Sequence, residues 1–556
     1  MILRGPELVA PKHATVNAAL QNAAASPYGL VFLDVREQET RSSWAELYSR
    51  ARRMAAALAE RGVKPGERVA MVLPTGPDFM DAFFGTLLAG AVPVPLYPPV
   101  RLGRMDEYVR STARMLELTG SRAVLSDRRV RLLLGGAVER ARPDLGCPTV
   151  ADLMGGANEA EEKVSRDALG LIQFSSGSTV DPKPVALTHA NLMAQVAILH
   201  QAMPGLDAKV HRGVSWLPLY HDMGLIGCLL EALYFPADLV LLPPEGFLAR
   251  PALWLRAISK YRGAVSPAPN FAYGLCLKRV RDEELDGVDL SCWRYALNGA
   301  EPVSASVQQR FVERFSRWGF DAASLLPVYG LSEASLAVTF SERGAARRAV
   351  EHQGREVVSV GTPVPGTSVD VRDGRIWVKG PSVMRGYFGN DEATARSLVD
   401  GWLDTGDLGF VDGGELFVSG RAKDVVIIRG ANHAPQVFEE CLDSVAGVRT
   451  GCAVAVGYLP KGHDGEALAL LVEGEGDGLE QRITAAVVEA TSIKPHAVVV
   501  LAPGTLPRTS SGKLRRQEAL ERWLSGQLQP PKPVNALAVG AEVAKSMLSF
   551  AKSRLK

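Results

Sequence analysis

From Ser43 to Leu125 the chain alternates amphipathic stretches with short apolar runs, and this alternation limits the fold more than any other feature. Residues 43–62 place Trp44, Leu47, Met54 and Leu58 at helical spacing, with Gly62 as a stop. Pro65-Gly66 makes a turn before an apolar run of strand length at 69–73. A helix over 77–89, a strand over 92–96, a helical stretch over 103–119 and a strand over 123–125 follow. Strands apolar on both faces and separated by helices predict a parallel sheet covered by helices, an α/β class.

At 556 residues the chain is long enough for more than one domain. A formal net charge of +1 supplies no global field for nucleic acid or an anionic membrane. Six scattered cysteines (Cys147, Cys228, Cys276, Cys292, Cys441, Cys452) form no CxxC pair and read as reduced thiols. The N-terminus, MILRGPELVAPKH, has no apolar run of signal-peptide length, and no window approaches 18 uninterrupted apolar residues, so a cytoplasmic enzyme is expected.

Further along, residues 129–145 are rich in Arg and Gly and predict little regular structure. Residues 294–302 and 326–335 each read as a strand running into a tight glycine turn. Beyond 357 the texture becomes turn-rich and alternating, a small β region, with Asp412-Gly413-Gly414 as a hairpin turn. After Arg421 a smaller α+β unit begins. The expected divisions are 1–422, a large domain of parallel α/β subdomains plus the β region; 423–528, a small mobile α+β domain; and 529–556, a proline-rich linker (Pro530, Pro531, Pro533) with a basic, helical tail.

Chemistry concentrates in a few stretches. FSSGSTVDPKPVALTH, residues 174–189, follows an apolar strand and precedes a helix for which Thr188 is a candidate N-cap. Gly177 lets successive N–H groups converge, Ser175, Ser176, Ser178 and Thr179 add hydroxyls, and Lys183 adds charge, which suits a polyphosphate. A solvated Ser/Gly turn fits the same residues. Neither GxxxxGK[ST] nor GxGxxG occurs, so neither a common P-loop nor a Rossmann dinucleotide site is supported. In SWLPLYHDMGLIG, residues 215–227, His221 and an aspartate interrupt an apolar run and need partners or a task. The apolar residues 229–243 read as core, or as the wall of an acyl tunnel. PRTSSGKLRRQEAL, residues 507–520, places Lys513 at the tip of a small-residue loop that reads as mobile.

Taken together and in order, FSSGSTVDPK, YGLSE, TGDLG, GRAKD and PRTSSGK resemble the motifs of the adenylate-forming superfamily of acyl-CoA synthetases, adenylation domains and luciferases, over about residues 15–525. LPLYHDMGLIG (217–227), VPLYPP (94–99) and GANHAPQVFE (430–439) look most like a fatty acyl-AMP ligase. Where amino-acid-activating domains carry an FD-type segment this chain has YHDMG. Two positions depart from the superfamily pattern: Val180 and Pro184 stand where glycines are usual. The segment corresponding to the subfamily's insertion, about 339–358, is short and charged.

The resemblance implies ATP and Mg²⁺ as cofactors and a fatty acid as substrate. It implies that Ser175, Ser176, Gly177, Ser178, Thr179 and Lys183 hold the phosphates, and that Glu333 and Thr179 position the metal. Asn298, Gly299, Ala300, Glu301, Tyr329, Gly330, Leu331 and Ser332 would surround the adenine, and Asp407 and Arg421 the ribose. His221 would face the acyl carboxylate, Lys513 would bridge carboxylate and α-phosphate, and Lys423 would be the hinge. The implied acceptor is the thiol of a holo acyl carrier protein. Free CoA, as in a fatty acyl-CoA ligase, is the alternative, and a non-catalytic acyl-nucleotide-binding module is a third reading.

Overall fold

A computed structural model of the protein describes residues 2–99, 102–156, 158–175, 182–352, 355–428, 431–460, 466–509, 512–532 and 534–554. The alternating segment forms the parallel sheet expected of it. Arg68–Val72 lies between Val92–Leu96 and Ala123–Ser126, parallel to both. The helix Trp44–Glu60 starts at a capping box in which Ser43 and Glu46 satisfy each other's backbone N–H. It packs on Pro77–Leu88 so closely that a Cβ on Gly85 would lie 2.3 Å from Met54 Cγ, so a side chain there would force the helices apart.

Two further sheets complete the α/β body. Gly263–Val265, Arg212–Ser215, Leu239–Leu241 and Gly29–Leu33 are parallel, with Glu39–Ser43 antiparallel at one edge. Ala268–Pro269, Ala296–Gly299 and Leu325–Gly330 are parallel, and Ala337–Phe340 and Thr362–Pro363 extend them antiparallel. Their core includes Trp254, Trp293, Tyr273 and Phe311, all fully buried and in edge-to-face contact, the geometry aromatic quadrupoles prefer. An antiparallel sheet built on Trp402–Asp412 and Glu415–Arg421 follows, with Asp412↔Glu415 closing its hairpin. Residues 2–4 pair with Ser368–Arg372 at its edge, a contact too distant in sequence to be foreseen.

From Val426 onward a three-stranded sheet, Val448–Tyr458, Ala467–Gly474 and Ala497–Leu501, has an apolar cluster on each face. Phe438, Leu442 and Ile483 lie in one, Leu506 and Ala519 in the other. No described helix is long and apolar enough to cross a membrane. All six cysteines are unpaired.

Two expectations need correction. Residues 129–145 are not weakly structured: Arg128–Arg131 and Gly135–Ala141 are helices. Asp127 caps the first by accepting from Arg129 and Val130 N–H at 2.7 Å, and Ala137 and Val138 bury the second. The phosphate-loop region is not strand, loop, helix. Leu169–Phe174 and Pro184–Thr188 are antiparallel partners, and only then does His189–Ala202 begin, capped by Thr188. The run from Pro184 to Leu187 is apolar and buried, so it completes a sheet before the helix can start. This also accounts for Pro184: it is the first residue of a strand, where a missing N–H costs no ladder bond.

Candidate active site

Strand ends build the site. Ala296–Gly299 and Leu325–Gly330 finish side by side, and ligands of open α/β sheets bind beyond such carboxyl ends. The turns there are tight. A Cβ on Gly330 would lie 1.7 Å from the Leu336 carbonyl oxygen, and one on Gly299 would lie 2.7 Å from that of Val328. Ala300 takes a left-handed φ of 67°, a strained choice for a residue with a Cβ. These ends open into a cleft of about 2630 Å³, well above the size of a pocket for one small ligand.

One wall carries Asp222. Its carboxylate accepts from His221 Nδ1 at 2.6 Å and from the Ser332 hydroxyl, and the residue is only 6% exposed. Burial pushes this carboxyl up, but the His221 ring, the Ser332 hydroxyl and the Lys513 ammonium outweigh it and hold it well below the usual range. With Nδ1 engaged, His221 Nε2 is buried and meets no hydrogen-bond partner among the described residues, while the residue lines the cleft.

A second buried carboxylate, Asp407, accepts from the Tyr329 hydroxyl at 2.7 Å and from Arg421 Nε at 3.1 Å. Asp407 and Arg421 face each other across the antiparallel hairpin, so their pairing follows from its register. Glu333 lines the same cleft. Its carboxyl accepts from the Tyr387 hydroxyl at 3.0 Å, and Lys183 Nζ lies 4.8 Å from the centre of that ring. Burial raises the Glu333 carboxyl, against the pull of a backbone N–H, Tyr387, Arg421 and Lys183.

Lys513 enters from the C-terminal unit. Its N–H donates to Thr509 Oγ1 at 3.0 Å, its carbonyl accepts from Thr509 N–H at 2.8 Å, and Arg508 and Leu514 form a β-bridge, while Ser510 and Ser511 of the same loop lie outside the described residues. Burial depresses its ammonium below the usual lysine range, with Asp222 opposing, Arg421 reinforcing, and Glu301 and Asp407 opposing. Lys423 lies in the same cleft, and its ammonium is lowered by burial and then by Arg421. Its carbonyl accepts from Gln517 Nε2 at 3.0 Å, tying the proposed hinge to the helix after the lysine loop.

Most of the sequence-derived residues thus meet in one cleft, including Ser175, Lys183, Gly299, Ala300, Glu301, Tyr329, Gly330, Leu331 and Ser332. Ser176, Gly177, Ser178 and Thr179 lie outside the described residues, as does Val180. The ends of their loop are pinned by Ser175 N–H donating to the Lys183 carbonyl at 3.1 Å. Asn298 does not line the cleft. It is fully buried behind it and donates to Asn270 Oδ1 at 3.2 Å. The Ser332 hydroxyl donates to Asp222 and the Tyr329 hydroxyl to Asp407. Residues 229–243 are core away from the cleft. Its apolar wall is instead Leu199, Met203, Leu297, Val328, Ala337 and Phe340, which pack as one cluster.

Sequence reasoning missed Asp222 and Tyr387 as site residues. Asp222 left a signal, a carboxylate inside an apolar run next to His221. Tyr387 left none, because only the pairing of Gly386–Tyr387 with Pro184–Thr188 brings it to Glu333. For a metal, no group of three or more His, Cys, Asp or Glu exists among the described residues. Glu333 alone fits Mg²⁺ only if phosphate oxygens and water complete the shell, the usual arrangement for this hard cation.

The AMP-binding enzyme family model matches residues 20–388. The chain belongs to the AMP-binding enzymes, in the fatty acyl-AMP ligase group. A Caulobacter vibrioides (strain NA1000 / CB15N) protein, provisionally named an acyl-CoA synthetase, is 34% identical over 92% of this chain and 96% of its own length. The medium-chain-fatty-acid–[acyl-carrier-protein] ligase JamA of Moorena producens (strain JHB) is 33% identical, covering 89% of this chain and 92% of its own. A structure from studies of fatty acyl-adenylate ligases of E. coli and L. pneumophila superposes with a TM-score of 0.86 at 33% identity, over 93% of this chain and 98% of that one. The ligase therefore shares with these proteins a large α/β body and a smaller C-terminal unit. The Asp222, Asp407 and Lys513 groups described above sit between the two.

Proposed function

We propose that the ligase activates a medium- or long-chain fatty acid with ATP and passes the acyl group to the phosphopantetheine thiol of an acyl carrier protein. The observation that carries this reading is the meeting of the apolar chamber with His221 and Lys513 in one cleft. The chamber suits an alkyl chain, and the two side chains suit its carboxylate.

In the first step a carboxylate oxygen bonds to the α-phosphorus of ATP and the bond to the pyrophosphate oxygen breaks, with no net proton transfer. The protein's task is positioning and charge stabilisation. Lys183 and the 175–183 loop hold the outgoing phosphates, with Thr179 as a further oxygen donor. Asp407, fixed by Tyr329 and Arg421, accepts from the ribose hydroxyls, and Gly299–Glu301 and Gly330–Leu331 leave room for the base. His221, oriented by Asp222, faces the acyl carboxylate, and Lys513 spans it and the α-phosphate. Glu333 would hold Mg²⁺, which supplies charge neutralisation on the phosphates. In the second step Lys513 withdraws with residues 423–528 about Lys423; the thiol sulfur then bonds to the acyl carbon and gives its proton to solvent, and the acyl C–O bond to the phosphate breaks to release AMP. Residues 1–422 form the other domain, and the enzyme works in the cytoplasm.

JamA's name supports the carrier-protein acceptor, and the name of the Caulobacter relative favours CoA as the second reading. Incubation with ATP, a fatty-acid series and either CoA or holo carrier protein, with mass detection, separates them. Acyl-carrier protein is the expected product. Acyl-CoA alone would move the reading to the CoA ligase, and absence of acyl-adenylate would remove both.

A further inference from the structure

The chain does not end with the C-terminal unit. After the helix Arg516–Leu524 it crosses back and lays a long helix, Ala536–Arg554, on the N-terminal body. The contact is intimate. Gly135 N–H donates to Ser546 Oγ at 2.8 Å, and a Cβ on Gly135 would lie 2.0 Å from the Ser546 carbonyl oxygen. Phe550 joins the apolar cluster around Leu134 and Val138, with the Arg131 guanidinium 5.4 Å from its ring centre. Asp106 takes Lys545 at 2.9 Å and Lys532 at 3.5 Å.

The same turn of the body also grips the unit that carries the lysine. Arg104 donates to the carbonyls of Gly504 (3.2 Å), Thr505 (2.9 Å) and Gln529 (3.2 Å). Glu107 pairs with both terminal nitrogens of Arg522, at 2.7 and 2.9 Å. Arg522 lies on the helix that directly follows Lys513. Residues 104–107 are therefore a node shared by the tail and the lysine-bearing unit. Asp106 and its two lysines are largely exposed and contribute little alone. Phe550 and the Gly135–Ser546 contact supply the close packing.

We infer that Lys532 and residues 534–554 are a clasp that holds the C-terminal unit in the lysine-in pose, so that release of the tail favours withdrawal of Lys513. This rests on the two-step reading above. By linkage, whatever loosens the clasp weakens the lysine-in state to the same degree.

The test uses the full chain. Gly135→Ala suits its helix yet leaves no room for the Ser546 carbonyl, and Phe550→Asp attacks the contact from the tail side. Neither touches the cleft. Hydrogen exchange should show the wild-type tail protected, and both variants should expose residues 536–554 and speed exchange at 512–516. The ratio of acyl transfer to acyl-adenylate formation should rise about fivefold, the low end of ordinary site couplings. A tail that exchanges freely in the wild type would overturn the clasp. So would loosening of the tail with exchange at 512–516 and the ratio both unchanged. If the wild type forms no acyl-adenylate, the functional reading fails, and exchange at 512–516 still decides the clasp.

Discussion

Two buried aspartates face the cleft, and they are built alike. Asp407 binds one cation and one hydroxyl, Arg421 and Tyr329; Asp222 binds one basic ring and one hydroxyl, His221 and Ser332, and also accepts from the Met223 N–H. The difference lies in the partner. A guanidinium offers donors only, whereas an imidazole has a second ring nitrogen, which at His221 is left without a partner among the described residues. On the proposed mechanism one carboxylate binds, and the other orients the ring that faces the acyl carboxylate. Lys513 lies in the field of both.

The contrast can be broken in several ways. Lys513→Ala removes the cation common to both sides and should lower acyl-adenylate formation by roughly 10²–10³-fold, with the fold intact by circular dichroism. Asp222→Asn keeps the shape but not the charge beside His221. It should cost about 10–100-fold in kcat for adenylation with little change in KM for ATP. Asp407→Asn should do the reverse, raising KM for ATP by about tenfold. Equal effects on both parameters in both variants would erase the distinction. Glu333→Gln should move the Mg²⁺ requirement of adenylation upward by roughly tenfold. An unaltered Mg²⁺ titration would remove it as a metal ligand.

The smallest expected effect separates cleft from scaffold. His189 is buried, its Nδ1 accepts from Val16 N–H at 3.2 Å, and burial lowers its pKa from 6.5 to about 4. Between those values the unfolded chain binds the proton and the folded one does not, so stability falls as pH falls through that window. The loss is at most about 3 kcal/mol. Denaturant melts of His189→Gln should lose that acid slope, while those of Asp222→Asn should keep it.

Much of this was legible along the chain because it is local. Helical spacing, apolar runs and the Asp412-Gly413-Gly414 turn are short-range patterns, and the structure has the helix Trp44–Glu60, the parallel strands and the hairpin where they point. The site motifs were legible for the same reason, since strand-end turns keep their glycines and carboxylates within a few residues. The failures are equally physical. Arg- and Gly-rich 129–145 lacks strong periodicity and becomes helical through an Asp127 cap and burial. The run after Lys183 reads like the approach to a helix until a strand partner is available for it.

What the sequence by itself determined is the inventory: an α/β body, a β region, a smaller α+β unit, and two lysine motifs with their carboxylates. Tertiary structure alone decided the pairings. Asp222 with Ser332, Tyr329 with Asp407, Tyr387 with Glu333, and the tail on Gly135 join residues far apart in the chain. A buried charge must find a partner wherever folding brings one, and no local pattern records which partner that will be.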